Sequence, residues 1–121
     1  MKSRENDDRM LHAAHAMRYH WGEAPECTPA NLARGEWQVS RVYTVLGRPE
    51  PALWHARRCL DHCEANGLGD WDLAYAYEAI ARGYKMTAEL PEAEAYKRLA
   101  TEVSIAEAGD REHFEKDLAT L

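Results

Sequence analysis

The stretch LARGEWQVSRVYTVLGRPEPALWHAR (residues 32–57) is followed, at an offset of 41 residues, by the similar stretch LAYAYEAIARGYKMTAELPEAEAYKR (residues 73–98). The identical positions are Leu32, Ala33, Arg41, Tyr43, Ala52 and Arg57 in the first copy and Leu73, Ala74, Arg82, Tyr84, Ala93 and Arg98 in the second. Self-similarity at a fixed period is typical of repeat proteins, in which each unit buries its apolar face against its neighbour. The spacing inside each copy predicts a helix, a turn and a second helix, which favours a binding scaffold over an enzyme.

The composition of the chain favours a single helical domain. With 121 residues, of which 45% are hydrophobic and 30% charged, the chain is long enough for one hydrophobic core and has the balance of a globular protein. Ala, Glu, Leu and Arg are abundant whereas Val, Ile and Phe are scarce, which favours helices over strands. The formal net charge of −6 argues against nucleic acid as the main partner.

Two features predict a cytoplasmic protein without a membrane partner. No apolar run approaches the roughly 20 residues that a helix needs to span a bilayer, and no apolar segment like that of a signal peptide follows the polar N-terminus. Three cysteines without the spacing of a disulfide framework favour reduced thiols. Cys59 and Cys63 lie one turn apart on a predicted helix, and we expect them to be small core residues.

Helix signals divide the chain into a first helix, two helical pairs and a short last helix. The predicted boundaries are residues 5–22 for the N-terminal helix, 30–66 for the first pair, 71–108 for the second pair and 110–121 for a C-terminal capping helix. The predicted N-caps are Thr28, Asp70 and Asp110. The first helix is expected to bury one apolar stripe, which consists of Met10, Ala14, Met17 and Trp21.

Small residues and an aromatic residue recur at fixed places in the two copies. The first copy has Ser40, Tyr43, Leu46, Gly47, Ala52, Ala56 and Cys59 at these places, and the second has Ala81, Tyr84, Ala93 and Ala100. This pattern resembles the tetratricopeptide repeat, in which a small residue and an aromatic lie in the first helix, Gly at the turn and small residues in the second helix. The resemblance implies an all-α fold of antiparallel helix hairpins, stacked as a short right-handed superhelix. Within that fold, Tyr43 and Tyr84 are expected to occupy equivalent buried places.

The chain departs from the family pattern at several points. Its period of 41 residues exceeds the usual period of about 34, which implies longer helices. Ala88 stands where the turn Gly is expected, and Lys97 stands where a small or aromatic residue is expected. Two units are fewer than the three or so that such a stack usually needs, so the first and last helices are expected to cap its ends. Alternatively, a second copy of the chain covers an end, which would make a homodimer.

A stripe on the first helix of each copy predicts a binding groove. In the proteins that this chain resembles, the corresponding positions line a concave groove for an extended peptide, and here they are Arg34, Trp37, Arg41, Tyr75, Glu78, Arg82 and Lys85. The basic side chains would bind carboxylates and the aromatic ones would be apolar anchors, so the expected partner is a protein or peptide segment that is acidic or ends in a carboxylate. A solvated helix flank, whose basic side chains pair with the chain's own acids, explains the same residues.

The leading hypothesis is therefore a non-enzymatic scaffold that binds a peptide or protein, with no catalytic residues and no cofactor. Arg41 and Arg82 lie off the predicted core stripe, so replacing both by Ala is expected to weaken binding without unfolding the protein. One alternative is a metal-dependent or acid–base enzyme that uses histidines of the first helix. Another is a structural protein that associates with a copy of itself and fills its own groove.

Two histidine clusters are candidate metal sites. Asp8, His12 and His15 share a face of the first helix with Tyr19, and imidazoles beside a carboxylate could hold a divalent metal or move protons. Metal sites in helical proteins usually draw ligands from two or more helices, so we expect a polar face without a bound metal. The second cluster is interpreted as core thiols bordered by surface imidazoles, and it consists of His55, Cys59, His62 and Cys63.

Overall fold

The computed structural model describes residues 4–23 and 27–121, and all regular secondary structure in those ranges is helical. The six helices are α1 Arg4–Glu23, α2 Pro29–Val45, α3 Pro49–Ala65, α4 Asp70–Met86, α5 Leu90–Glu102 and α6 Ala108–Leu118. The predicted all-α class is thus confirmed. None of the helices in the described ranges is both long enough and apolar enough to cross a membrane.

The helices pack as neighbouring hairpins along the chain. The short turns bring α2 against α3 and α4 against α5, and α3 packs against α4 to join the two hairpins. The first helices of the two copies, α2 and α4, also contact each other. At the two ends, α1 packs on α2 and α6 packs on α4. The repeat predicted from the 41-residue offset therefore corresponds to two stacked hairpins with one further helix at each end.

Small side chains allow the helices to approach closely. Ala52 and Ala56 of α3 and Ala81 of α4 are completely buried. At Gly83 a Cβ atom would lie only 2.6 Å from Cδ2 of Leu53, so any larger residue where α4 passes α3 would force the Leu53 side chain to move. Such close packing is what makes dispersion contacts and apolar burial effective in a core built mainly of alanine.

The predicted helix caps are partly correct. Thr28 does cap α2, because its Oγ1 accepts a hydrogen bond from the backbone N–H of Asn31 at 3.2 Å. Asp110 is not the cap of α6; Glu107 is, since its carboxylate accepts from the N–H groups of Gly109 and Asp110. Sequence alone favours Asp over Glu as an N-cap. The extended backbone of Glu107 nevertheless lets its longer side chain contact the N–H groups of the first helical turn.

Asp70 is the first residue of α4 and not its cap, which is Gly69. The carboxylate of Asp70 accepts a hydrogen bond from the N–H of Trp71 at 2.7 Å and another from the N–H of Ala106 at 3.0 Å. The second bond fixes the connection between α5 and α6 onto the start of α4. A side chain predicted to act locally therefore joins segments that are distant in sequence.

The fifth helix ends at Glu102, earlier than the predicted boundary at residue 108. The chain leaves the helix there and buries Ile105, which is 3% exposed and packs in the same cluster as Tyr75 and Phe114. Arg111 donates a hydrogen bond to the carbonyl oxygen of Ile105 at 2.7 Å. Burying an isoleucine fully contributes about 1.5–3 kcal/mol, which offsets the loss of another helical turn.

Polar contacts join the first helix to α2. Of its predicted apolar stripe Ala14 is buried, but Met17 is 47% exposed, so the stripe prediction is wrong there; the side chain of Trp21 lies outside the described residues. His15 Nε2 lies 2.9 Å from the hydroxyl of Tyr43, and Arg18 reaches α2 through an ion pair. The side chain of Arg18 passes over Gly35, where a Cβ atom would lie 2.9 Å from its Cδ.

Tyr43 and Tyr84 occupy equivalent places in the two hairpins. The ring of Tyr43 stacks on His55 at 5.7 Å, and the ring of Tyr84 stacks on Tyr96, the residue 41 positions after His55, at 5.8 Å. Both tyrosines are only half-buried, so the prediction that they are buried is wrong. Their equivalence nevertheless supports the alignment of the two copies.

The turn of the second hairpin carries backbone strain. Ala88 has a φ of +60°, and Gly47 at the equivalent turn has a φ of +74°. This left-handed conformation suits glycine but costs a residue with a Cβ about 1–2 kcal/mol. The second copy has thus kept the turn geometry without the residue that favours it.

We expect Ala88→Gly to stabilise the protein by about 1 kcal/mol, because it removes most of this strain at some cost in the entropy of the unfolded chain. Urea unfolding monitored by circular dichroism measures the change. Gly47→Ala is the matched control and should destabilise by a similar amount, since no atom lies within 4 Å of its new Cβ and only the backbone conformation opposes it. A lower free energy of unfolding for Ala88→Gly than for the wild type would contradict the inference that Ala88 is strained.

Candidate binding groove

A groove runs between α2 and α4, and α6 closes one side of it. A cavity of about 370 Å³ opens in its wall, and we name this cavity the anchor pocket. Its principal lining residues are Arg34, Trp37, Trp71, Asp72, Tyr75 and Asp117. Three of the predicted groove residues, Arg34, Trp37 and Tyr75, therefore meet in one cavity. Trp71, Asp72 and Asp117 were not predicted.

Three aromatic rings form the apolar part of the anchor pocket. The ring of Trp37 lies 5.4 Å from that of Tyr75 at an angle of 79°, and the ring of Trp71 lies 5.5 Å from it at 87°. Both indoles thus meet Tyr75 almost at right angles and form a corner instead of a stack. Tyr75 also contacts Phe114 of α6 edge to face, so α6 holds this ring in place.

The hydroxyl of Tyr75 donates a hydrogen bond to Oδ2 of Asp117. Burial and the neighbouring carboxylate of Asp117 raise the pKa of Tyr75 well above its usual value. The phenol is therefore protonated and remains a donor at all physiological pH values. This bond orients the Asp117 carboxylate at the pocket.

An ion pair joins the two helices at the edge of the anchor pocket. Arg34 of α2 donates from Nε and Nη2 to the two carboxylate oxygens of Asp72 of α4, at 2.9 and 3.2 Å. The hydrogen bond to Asp72 raises the pKa of Arg34. The guanidinium carbon also lies 5.8 Å from the ring centroid of Trp71. Because the Arg34 side chain is 54% exposed, we expect this pair to contribute at most about 1 kcal/mol to stability.

Glu78 is buried beneath the groove, at 1% exposure, and so the prediction that it faces a partner is wrong. Its carboxylate accepts from Nε1 of Trp37 at 3.2 Å, from Nη1 of Arg41 at 3.4 Å and from Nε of Arg82 at 2.6 Å. A carboxylate leaves water only when several donors replace its hydration, and here three do so. The register of α2 against α4 brings those donors together, which a one-helix stripe does not reveal.

Arg41 and Arg82 consequently support the fold as well as lining the groove. Arg82 is only 14% exposed and also donates to the carbonyl oxygen of Asp117 and to Oγ1 of Thr120. The premise that both arginines lie apart from the core is therefore wrong, and we now expect their joint removal to destabilise the protein. Lys85, one turn beyond Arg82 on the same helix, is exposed.

The formal charges divide the groove into two parts. In the part beyond the pocket, Arg41 and Arg82 supply two positive charges and Glu78 one negative charge, and the exposed Lys85, one turn further along α4, brings the net charge to +2. We call this part the basic half. In the anchor pocket, the single positive charge of Arg34 meets the negative charges of Asp72 and Asp117, which leaves −1 with His113 counted as neutral.

A second buried carboxylate was missed by sequence reasoning. Glu36 is 2% exposed, and its oxygens lie 2.7 Å from Nε of Arg18, 2.7 Å from Nδ1 of His55 and 3.3 Å from Nε of Arg58. Burial by itself would raise the pKa of Glu36, but the hydrogen bonds from His55 and Arg18 outweigh it and lower the pKa to about 2. A signal was present, because Glu36 falls between Ala33 and Ser40 on the face of α2 that is buried.

The two histidine clusters lie in different surroundings. Asp8 and His12 are exposed, whereas His15 contacts Tyr43. Within residues 4–23 and 27–121, no group of three or more His, Cys, Asp or Glu side chains is placed to hold a metal ion. In the second cluster Cys59 and Cys63 are buried free thiols, as predicted. The prediction of surface imidazoles is wrong for His55, whose side chain is 12% exposed and bound to Glu36.

The chain has no match among family models, curated proteins or solved structures. What it can bind is therefore inferred from the residues of the groove and their geometry.

Proposed function

We propose that the chain is a non-enzymatic binding module, similar to tetratricopeptide repeat proteins, whose groove between α2 and α4 holds an extended peptide segment of a partner. The observation that carries this proposal is the anchor pocket, a cavity of about 370 Å³ in the wall of the groove with two indoles and a phenol in its lining. Peptide recognition depends on a cavity of this kind, because a few large side chains buried at the interface supply most of the binding energy. The cavity volume falls within the range of ligand pockets, about 300–1,000 Å³.

The register of the helices supports the same proposal. Trp37 packs against all three buried clusters of the core, and its Nε1 is fixed by Glu78. Tyr75 is fixed by Phe114 and Asp117. The pocket walls are thus preorganised, and a bound side chain would order few groups of the protein.

The basic half favours an acidic partner segment. Its net charge of +2 contrasts with the net charge of −6 of the whole chain, so a peptide carboxylate is attracted to this part of the surface and repelled elsewhere. Lys85 is the side chain best suited to test this, because it is exposed and is not bound to Glu78. Trp37 and Arg82 are unsuitable, because replacing either would disturb the fold.

Selection from a displayed peptide library tests the proposal. We expect the recovered peptides to be enriched in Asp and Glu, and Lys85→Glu to weaken their binding by about tenfold, which corresponds to about 1.4 kcal/mol. The loss should shrink at high salt, since the contact is exposed. Arg98→Glu on α5 has the same net charge and lies outside the groove, so it should bind like the wild type. Equal binding by both variants, or no peptide above background, would contradict the proposal.

A further inference from the structure

The anchor pocket differs in charge from the rest of the groove. Both oxygens of Asp72 are engaged by Arg34, so these two residues neutralise each other. The carboxylate of Asp117 receives the uncharged hydroxyl of Tyr75 on Oδ2, and Nε2 of His113 lies 3.5 Å from the same oxygen. In the part of the chain that the structure describes, Oδ1 of Asp117 accepts no hydrogen bond. Among the described residues, no arginine or lysine forms an ion pair with this carboxylate, which lines the pocket and is 32% exposed, so its negative charge is available to a bound cation.

The aromatic lining suits a cation as well as an apolar group. The faces of aromatic rings carry negative electrostatic potential, and quaternary ammonium ligands are recognised by several rings together. Two rings of this pocket already receive cations of the chain, since Arg34 lies 5.8 Å from the centroid of Trp71 and Arg41 lies 5.9 Å from that of Trp37. The corner formed at Tyr75 leaves a cavity that neither guanidinium fills.

We propose that the anchor pocket binds an alkylated ammonium group, with the rings of Trp37, Trp71 and Tyr75 around its methyl groups and the carboxylate of Asp117 as its counter-charge. A quaternary ammonium has no N–H donors and is weakly hydrated, so it needs no hydrogen-bond acceptors from an aromatic wall. A primary ammonium would lose its hydration without replacement. This inference goes beyond the proposed peptide binding and does not depend on it, because a free quaternary amine and a methylated lysine side chain present the same group.

Titration with choline and with its neutral isostere 3,3-dimethyl-1-butanol tests the role of the charge directly. The two molecules have almost the same shape, so a pocket that recognises only apolar volume binds them equally. We expect choline to bind at least about tenfold more tightly. Binding is followed by calorimetry and by the indole N–H signals of Trp37 and Trp71 in NMR spectra. Equal affinities, or no change at either indole, would overturn the proposal.

Two variants locate the site. Asp117→Asn keeps an oxygen that can accept from Tyr75 but removes the charge, and we expect it to lower choline affinity about tenfold without affecting the neutral isostere. Glu112→Gln, one turn and a half earlier on α6 and 71% exposed, loses the same charge away from the pocket and should leave both affinities unchanged. Trp71→Leu keeps apolar bulk but removes a ring, so it should also weaken choline more than the isostere. If both pocket variants, Asp117→Asn and Trp71→Leu, bind choline like the wild type, the pocket is not its site.

A third comparison distinguishes the two sources of the ammonium group. If a trimethyllysine peptide binds much more tightly than choline, and the matching lysine peptide does not, the group belongs to a protein partner. If choline binds as tightly as the peptide, the ligand is a free quaternary amine. Failure of the peptide selection leaves the choline result unaffected, and failure of the choline titration leaves peptide binding through the basic half unaffected, so the two proposals are tested separately.

Discussion

Replacing Arg41 and Arg82 together by Ala is expected to lower the free energy of unfolding by about 3–5 kcal/mol. The reason lies in Glu78, which is 1% exposed and would keep only the indole N–H of Trp37 as a hydrogen-bond donor. A buried carboxylate without its cationic partners is strongly destabilising, because the charge has lost its hydration and receives little in return. Replacing Arg82 would also remove its hydrogen bonds to the end of α6, so the destabilisation should extend to the packing of that helix.

Urea unfolding at neutral pH measures this loss. Arg34→Ala is the matched control: it also removes an ion pair between α2 and α4, but Arg34 is 54% exposed and its removal should cost at most about 1 kcal/mol. Adding Glu78→Met to the double variant should restore part of the stability, because an apolar side chain needs no ionic partner there. A double variant that unfolds within about 1 kcal/mol of the wild type would show that Glu78 does not depend on the two arginines.

The second large effect is the acid sensitivity that Glu36 confers. The pKa of this carboxyl is about 2 in the folded protein, compared with 4.5 for an unperturbed glutamate. The folded state thus binds its proton less readily than the unfolded state, and the stabilisation is present above pH 4.5 and is lost as the pH falls towards 2. The difference corresponds to about 3 kcal/mol in total, of which about 2 kcal/mol should be lost between pH 5 and pH 3.

Glu36→Gln removes this titration, so its stability should fall less steeply with acid than that of the wild type, although the variant is less stable at neutral pH. The measurement is the free energy of unfolding at pH 5, 4 and 3 for both proteins. The quantity compared is the slope of this free energy against pH. Glu94→Gln on the exposed surface of α5 controls for the loss of a carboxylate and should keep the wild-type slope. Parallel curves for wild type and Glu36→Gln would contradict the low pKa.

The helices follow largely from local sequence signals. The 41-residue offset, Thr28 before Pro29, and glycines at the turns suffice to predict two hairpins with a helix at each end. Local signals fail where a distant residue changes the outcome. The fifth helix ends early because Ile105 packs beside Tyr75 and Phe114, and Asp70 binds the backbone of Ala106. Neither contact can be derived from residues close in sequence.

The binding groove was predictable in part. Helical spacing alone places Arg34 and Trp37 on one face of α2, and the repeat then places Tyr75 at the equivalent position of α4. Spacing does not show depth, so Glu78 was predicted to be accessible although it is buried. Nor does it show Trp71 and Asp117, which enter the pocket through the packing of α4 against α6.

The sequence by itself determined the class of the fold and the repeat, because helix propensity, turn residues and apolar periodicity are properties of neighbouring residues. Tertiary structure alone decided the partners of the charges. Glu36 and Glu78 are stable inside the protein because donors from other helices, joined for Glu78 by Arg82 of its own helix, surround them, and those donors are up to 41 residues away in the chain. Whether a charged side chain is solvated at the surface or neutralised inside depends on the register between helices, which is fixed only when the complete core packs.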